Sequence, residues 1–198
     1  MKDELILITD LTNANKYPAD DLLELYLQRW TIEKVFQQVT EVFCLDSLIG
    51  SYDLVADGSD NFTTRYLAND ACYFAKKPLV SGALLRFEGQ LSTFRAFEEG
   101  ENRPCYRCLF PSPPRPNMVP RCETAGIFGA VAGVIGTLQA TEVLKELLGL
   151  GTSLSGRLLL YEGLSGNFRT LKVKRDAACA LCGSQPTIKG LQAIEPEG

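Results

Sequence analysis

Apolar and polar positions along the chain switch between two periods, and the switches mark the elements. Residues 5–10, LILITD, are a short apolar run closed by a polar residue, the pattern of a buried strand. Pro18-Ala19-Asp20-Asp21 opens a helix that carries Leu22, Leu23, Tyr26, Trp30 and Val35 at helical spacing and runs to about Phe43. Ile49-Gly50-Ser51 breaks the pattern. Residues 52–56, YDLVA, predict a second strand, which ends in the polar turn Asp57-Gly58-Ser59-Asp60-Asn61. Phe62 to Ala75 predicts a helix, Pro78 to Gly82 a strand, and Arg86 to Phe97 one or two strands. Strand–helix–strand in this order is the parallel α/β unit.

The second half begins with a stretch, 100–122, in which Pro111, Pro113, Pro114, Pro116 and Pro120 exclude regular structure. Gly126, Gly129, Gly133 and Gly136 then recur at helical spacing and put small residues on one face, open to close packing by another helix. Val143, Leu144, Leu147 and Leu148 continue the helix until Gly149-Leu150-Gly151 stops it. Arg157 to Glu162 and Phe168 to Lys174 flank Leu164-Ser165-Gly166-Asn167 as a hairpin. Residues 184–198 carry no clear signal and read as a tail.

Bulk properties narrow the class. A chain of 198 residues, 45% apolar and 22% charged, fits one domain with at most a short appendage. The net charge of −4 argues against nucleic-acid binding. Residues 1–50 hold four Lys/Arg against nine Asp/Glu, and the rest hold 16 against 15, so the two parts differ in character. The start is charged and no apolar run is long enough to cross a bilayer, which predicts a cytoplasmic protein without membrane contact. Its seven cysteines then point to metal or redox chemistry rather than structural disulfides. The chain has no histidine, which excludes Ser-His-Asp, Cys-His and His-ligated metal mechanisms.

Three constellations carry candidate chemistry. Cys105-Tyr-Arg-Cys108 and Cys179-Ala-Leu-Cys182 are Cys-x-x-Cys pairs, each able to present two thiolates to one metal. Together they complete a four-sulfur shell that fits structural zinc; alternatively, one pair is incidental or redox-active. The acidic turn 57–61 stands at a strand's carboxyl end, where α/β sheets bind ligands. Its two acids and an amide could hold Mg²⁺ or a nucleotide's ribose and phosphate; alternatively, Asp60 or Asn61 caps the following helix. Cys122 lies before the Gly-rich helix, either as a reactive thiol or as a small apolar filler. Cys44 and Cys72 sit among apolar residues and read as core. Neither G-x-G-x-x-G nor G-x-x-x-x-G-K-[ST] occurs.

The stretches DLVADGSDNFTTRYLANDAC, KPLVSGALLRFEGQL, PCYRCLFP, the C-x-x-A-G at 122–126, GVIGTLQATEVLK and CALCG follow one another between residues 52 and 183. In that order they closely resemble the C-terminal half of the ThiF/MoeB family of ubiquitin-activating-like adenylyltransferases. The resemblance implies an α/β, partly Rossmann-like fold with a four-cysteine zinc site. It implies MgATP-dependent adenylation of the C-terminal Gly-Gly carboxylate of a ubiquitin-like sulfur carrier, of molybdopterin or thiamin type. A carboxylate nucleophile is already ionised at neutral pH, so this chemistry needs no histidine base. Carried onto this chain, the resemblance makes Asp60 the Mg²⁺ and adenylate carboxylate and Asn61 its nucleotide-contacting neighbour. Cys105, Cys108, Cys179 and Cys182 become the zinc ligands. Cys122 falls where some members carry a thiol used in sulfur transfer and others adenylate without it. The family's usual homodimer is a further implied partner.

The resemblance lacks the family's N-terminal half, with its Gly-rich nucleotide loop and phosphate-gripping Arg and Lys. Residues 1–50 instead resemble the end of a DDE-type insertion-sequence transposase: in LYLQRWTIEKVFQQV, Tyr26, Arg29 and Glu33 have that family's spacing, although position 40 is Thr40. Two partial resemblances predict a fusion near Gly50-Ser51, with a transposase-like fragment at 1–50, the adenylyltransferase half at 51–183 and a tail at 184–198. Such a chain is expected to be inactive alone. The alternatives are a zinc-stabilised module that docks a sulfur carrier without chemistry, or a non-functional remnant.

Overall fold

The computed structural model describes residues 49–99, 103–114 and 126–191. The chain divides into two units, Met1–Leu45 and Asp46–Gly198, and all described residues lie in the second. The strand and helix expected over 5–43, the transposase-like motif, Cys44 and Cys122 lie outside the described residues.

The Val55–Asp57 strand (β1) leads through the acidic turn into the Phe62–Ala75 helix (α1). Asn61 begins α1: its side-chain oxygen accepts the Thr64 amide at 2.8 Å, satisfying one of the free N–H groups of the first turn. Lys76 ends it in the left-handed region, with φ 55°. The chain then forms β2 (Leu79–Leu85), which pairs in parallel with β1, as the strand–helix–strand pattern predicts. From there the sheet departs from the expected parallel order. Arg86, at φ 54°, turns the chain back into β3 (Glu88–Phe94), antiparallel to β2. The stretch Arg86 to Phe97 thus holds a single strand, because the turn consumes its first two residues.

Residues 103–114 contain one short helix, α2 (Tyr106–Leu109), inside the first Cys-x-x-Cys. The proline content predicts a loop free of regular structure there, but the run of prolines begins only at Pro111, after α2 has closed. The long helix α3 (Gly129–Leu148) ends at Gly149, which is left-handed with φ 64°. The predicted hairpin follows as β4 (Arg157–Glu162) and β5 (Asn167–Lys172). The sheet order is β1-β2-β3-β4-β5, mixed rather than parallel, with a single parallel pair among the described residues.

Helix α3 lies over β2 and β3, and the sheet glycines admit it. A Cβ at Gly82 would stand 3.3 Å from Ile135, and one at Gly89 would collide with the same side chain. Val131 and Ile135 are buried on that face. Gly129, Gly133 and Gly136 face the other way: no atom of the described residues lies within 4 Å of a Cβ built on them. The small-residue face predicted to pack against another helix has no such neighbour among the described residues, and Gly126 precedes the helix altogether. Close packing is achieved by glycines in the sheet instead. Gln139 of α3 donates to the backbone oxygens of Asp57 (2.8 Å) and Val80 (3.0 Å), tying the ends of β1 and β2. Glu142 is buried but satisfied: it accepts from the Thr93 hydroxyl, the Leu154 amide and Lys145.

Candidate metal centre and acidic loop

The two Cys-x-x-Cys pairs, far apart in sequence, meet. The four Sγ atoms lie within 4.8 Å of one another. The separations are 3.8 Å for Cys105–Cys108, 3.5 Å for Cys105–Cys179, and 3.4 Å for both Cys108–Cys182 and Cys105–Cys182. A tetrahedral thiolate shell with Zn–S of about 2.3 Å has S···S edges of about 3.8 Å, whereas a disulfide would need about 2.0 Å. The spacing therefore fits a four-coordinate metal, and all four cysteines are free thiols. Cys105, Cys179 and Cys182 are buried and Cys108 half-buried. They pack with Ala96 and Leu181, against Tyr73 and Phe74 of α1.

The thiols perturb one another strongly. Contact with Cys108 first, then with Cys179 and Cys182, drives the Cys105 thiol far above its ordinary range. Contact with Cys105 first holds Cys179 far below it. Cys108 is lowered to about 7, led by its contact with Cys105. Four thiolates in one buried pocket repel, so full ionisation of the cluster requires a cation among them. Cys72 is different in kind. It is buried outside this cluster, and desolvation pushes its thiol up to about 12, which fits the core role read from its apolar neighbours.

Local geometry explains the cluster. Cys105 starts α2, which turns Cys108 back toward it, with the Cys108 amide donating to the Cys105 oxygen at 3.0 Å. The second pair turns tightly around Gly183: a Cβ there would lie 2.6 Å from the Ala177 oxygen, so no other residue fits. The Asp176 amide donates to Cys108 Sγ at 3.4 Å. Arg175 donates to the Cys182 oxygen at 2.8 and 2.5 Å and to the Glu98 oxygen at 3.1 Å, which anchors the second pair to the turn that follows β3.

The acidic loop is built differently. Asp57 is buried at the end of β1 and accepts from the Ser59 amide (2.9 Å) and the Ser81 hydroxyl (3.0 Å). Arg65, also buried, donates twice to the Ser59 oxygen, at 3.1 and 2.6 Å. These bonds fix the loop backbone and leave Asp60 exposed at its tip. Asn61 performs the capping role weighed in the sequence, while its amide nitrogen reaches Asp60 at 3.5 Å. The loop and the cysteine cluster meet α1 at different points along its length. Apolar periodicity alone passes over Arg65, Asn69 and Asp70, which are buried polar residues of α1. The spacing of Arg65 and Asn69, one helical turn apart on the inward face, is the signal the sequence offers for them.

The chain is similar to known proteins. The ThiF family matches residues 19–181, a span that begins inside the stretch read as transposase-like. A sulfur carrier protein adenylyltransferase of Thermus thermophilus is 52% identical over 149 residues, covering 75% of this chain and 55% of that protein. The adenylyltransferase and sulfurtransferase MOCS3 of Mus musculus is 49% identical over 158 residues, covering 79% of this chain and 33% of that protein. The chain thus spans about half the length of the first relative and a third of the second. Among solved structures, MccB of E. coli superposes with a TM-score of 0.54 over 72% of this chain and 43% of that one, at 15% identity, a likeness of fold. With the α/β fold, the mixed sheet and most of the sequence in agreement, the chain belongs to the ThiF family.

Proposed function

We propose that this chain supplies the magnesium-carboxylate and metal-knuckle part of a sulfur-carrier adenylyltransferase. The observation that carries the reading is the 52% identity over 149 residues to the Thermus relative bearing that name. In the reaction, the C-terminal carboxylate of a ubiquitin-like carrier ending in Gly-Gly attacks the α-phosphorus of ATP. The bond to pyrophosphate breaks and an acyl adenylate forms. Asp60, exposed at the loop tip, would hold Mg²⁺, which supplies charge neutralisation for the phosphates. Asn61 would contact the nucleotide beside it. Cys105, Cys108, Cys179 and Cys182 would hold zinc in a closed shell with no position left for substrate, so its role is structural. Cys122 would be the sulfur-transfer thiol if the chain follows the members that use one, and has no part in the chemistry if it follows those that adenylate without it. A cytosolic location and a homodimer belong to the same reading; no helix among the described residues is long and apolar enough to cross a membrane.

The sequence contains no Gly-rich phosphate loop, so turnover is expected only when phosphate-binding groups come from outside these 198 residues. The test is ATP–pyrophosphate exchange with purified chain and candidate carriers of molybdopterin and thiamin type. Background exchange from the chain alone supports the reading. Exchange well above background would show that other residues replace the loop. A second reading, a docking module without chemistry, is favoured by apolar side chains on the β4–β5 hairpin, where Leu164 is 74% and Phe168 53% exposed. Carrier binding without nucleotide dependence would select it. A fusion junction near Gly50-Ser51 belongs to the same proposal. Detection of the transcript across that point tests it, and separate transcripts on either side would remove it.

A further inference from the structure

The ion pair Asp70–Arg107 takes no part in the adenylation chemistry, yet it is among the most deeply placed charges described. Arg107 lies between the metal ligands Cys105 and Cys108. Its guanidinium forks onto Asp70 of α1, Nε to Oδ1 at 2.9 Å and Nη2 to Oδ2 at 2.7 Å. The two side chains are 11% and 4% exposed. The same guanidinium lies over the Tyr66 ring, 4.7 Å from its centroid. One residue earlier, the Tyr106 amide donates to Asn69 Oδ1 at 2.8 Å, and the Asn69 amide nitrogen donates to Asp70 at 2.9 Å.

We propose that Asn69 and Asp70 are positioning residues for the metal centre, holding the Cys105–Cys108 turn in its ligating shape before the metal arrives. A buried ion pair contributes little to stability compared with a well-packed apolar pair, so the effect looked for here is one on geometry. The fork supplies that geometry. It fixes the orientation of the residue between the two ligands, and the Asn69 bond fixes the residue that follows Cys105. A preset turn spares the entropy of ordering on metal binding, and outer-shell partners of ligands commonly contribute about 10- to 100-fold in metal affinity. The opposite half of the centre is held separately, through Arg175 on the Cys182 oxygen.

This inference rests on the reading of the four cysteines as a zinc site, and one experiment separates the two. Zinc affinity is measured by chelator competition on the full chain, for the wild type, Asn69→Ala, Arg107→Lys and the double variant Asp70→Asn/Arg107→Gln. The double variant leaves no unpaired buried charge and so keeps the fold testable. Arg107→Lys keeps the charge but lacks the fork. The expected result is stoichiometric zinc in the wild type and about 10- to 100-fold weaker binding in the double variant. Arg107→Lys and Asn69→Ala should show smaller losses, and each variant should lose more stability in its zinc-loaded form than in its chelator-stripped form. Affinities within about threefold of wild type, less than the range expected of an outer-shell partner, would overturn the positioning role while sparing the zinc reading. So would equal destabilisation of the stripped and loaded double variant. Absence of zinc from the wild type would overturn both.

Discussion

The cysteine knuckle and the acidic loop share the helix α1 and differ in completeness. The knuckle brings four cysteine sulfurs from two distant stretches to within 4.8 Å of one another and surrounds them with apolar packing and anchored backbone. The loop fixes its backbone through Asp57 and Arg65 but leaves its candidate functional carboxylate, Asp60, exposed. A site whose ligands converge and are buried performs its role within the fold. A site with one exposed carboxylate on a rigid loop has to meet its ligand with groups supplied from elsewhere. The difference predicts that damage to the knuckle acts on stability and damage to the loop acts on chemistry.

The strongest attempt to break that contrast is Cys105→Ser with zinc analysis and thermal melting. Structural zinc sites in small peptides contribute on the order of 10 kcal/mol to folding. The variant is expected to lose its zinc and to lose a large share of its cooperative melting transition. Zinc loss with an unchanged transition would place the knuckle outside the folding core.

Next in size is Glu142→Ala, in the sheet–helix core. It removes the acceptor for Thr93, the Leu154 amide and Lys145 and leaves them without a partner at that site. Breaking a buried ionic network of this kind costs about 3–5 kcal/mol. Urea denaturation should show the midpoint fall with zinc content retained, which separates core damage from knuckle damage.

Asn61→Ala sharpens the comparison on the loop side. It removes the cap on the first turn of α1 and should lower stability by about 1 kcal/mol. The smallest effect on stability is expected from Asp60→Asn, within about 0.5 kcal/mol, because an exposed tip has little to lose. On the proposed function, the same substitution should abolish magnesium-dependent nucleotide binding when phosphate-binding groups are supplied alongside the chain. Unfolding by Asp60→Asn, or nucleotide binding indifferent to it, would erase the distinction between the two regions.

The local elements were written in local residues. Helix α1 was legible from end to end because a capping Asn61 precedes an apolar-periodic run. The β4–β5 hairpin was legible from its Gly-containing turn, and the four-cysteine cluster from the composition and spacing of the cysteines. Tertiary structure alone decided the rest. The sheet became mixed because Arg86 turned the chain back on itself, a conformation that an arginine does not advertise. The glycines that admit a helix proved to be Gly82 and Gly89 in strands rather than Gly133 and Gly136 in the helix. Asn69, Asp70 and Glu142 are polar residues that local pattern does not single out, and they are buried. The physical reason is common to these cases. Periodicity and turn chemistry depend on neighbours within a few residues, whereas the burial of a polar group depends on a partner such as Tyr106, Arg107 or Thr93, many residues away, being folded against it.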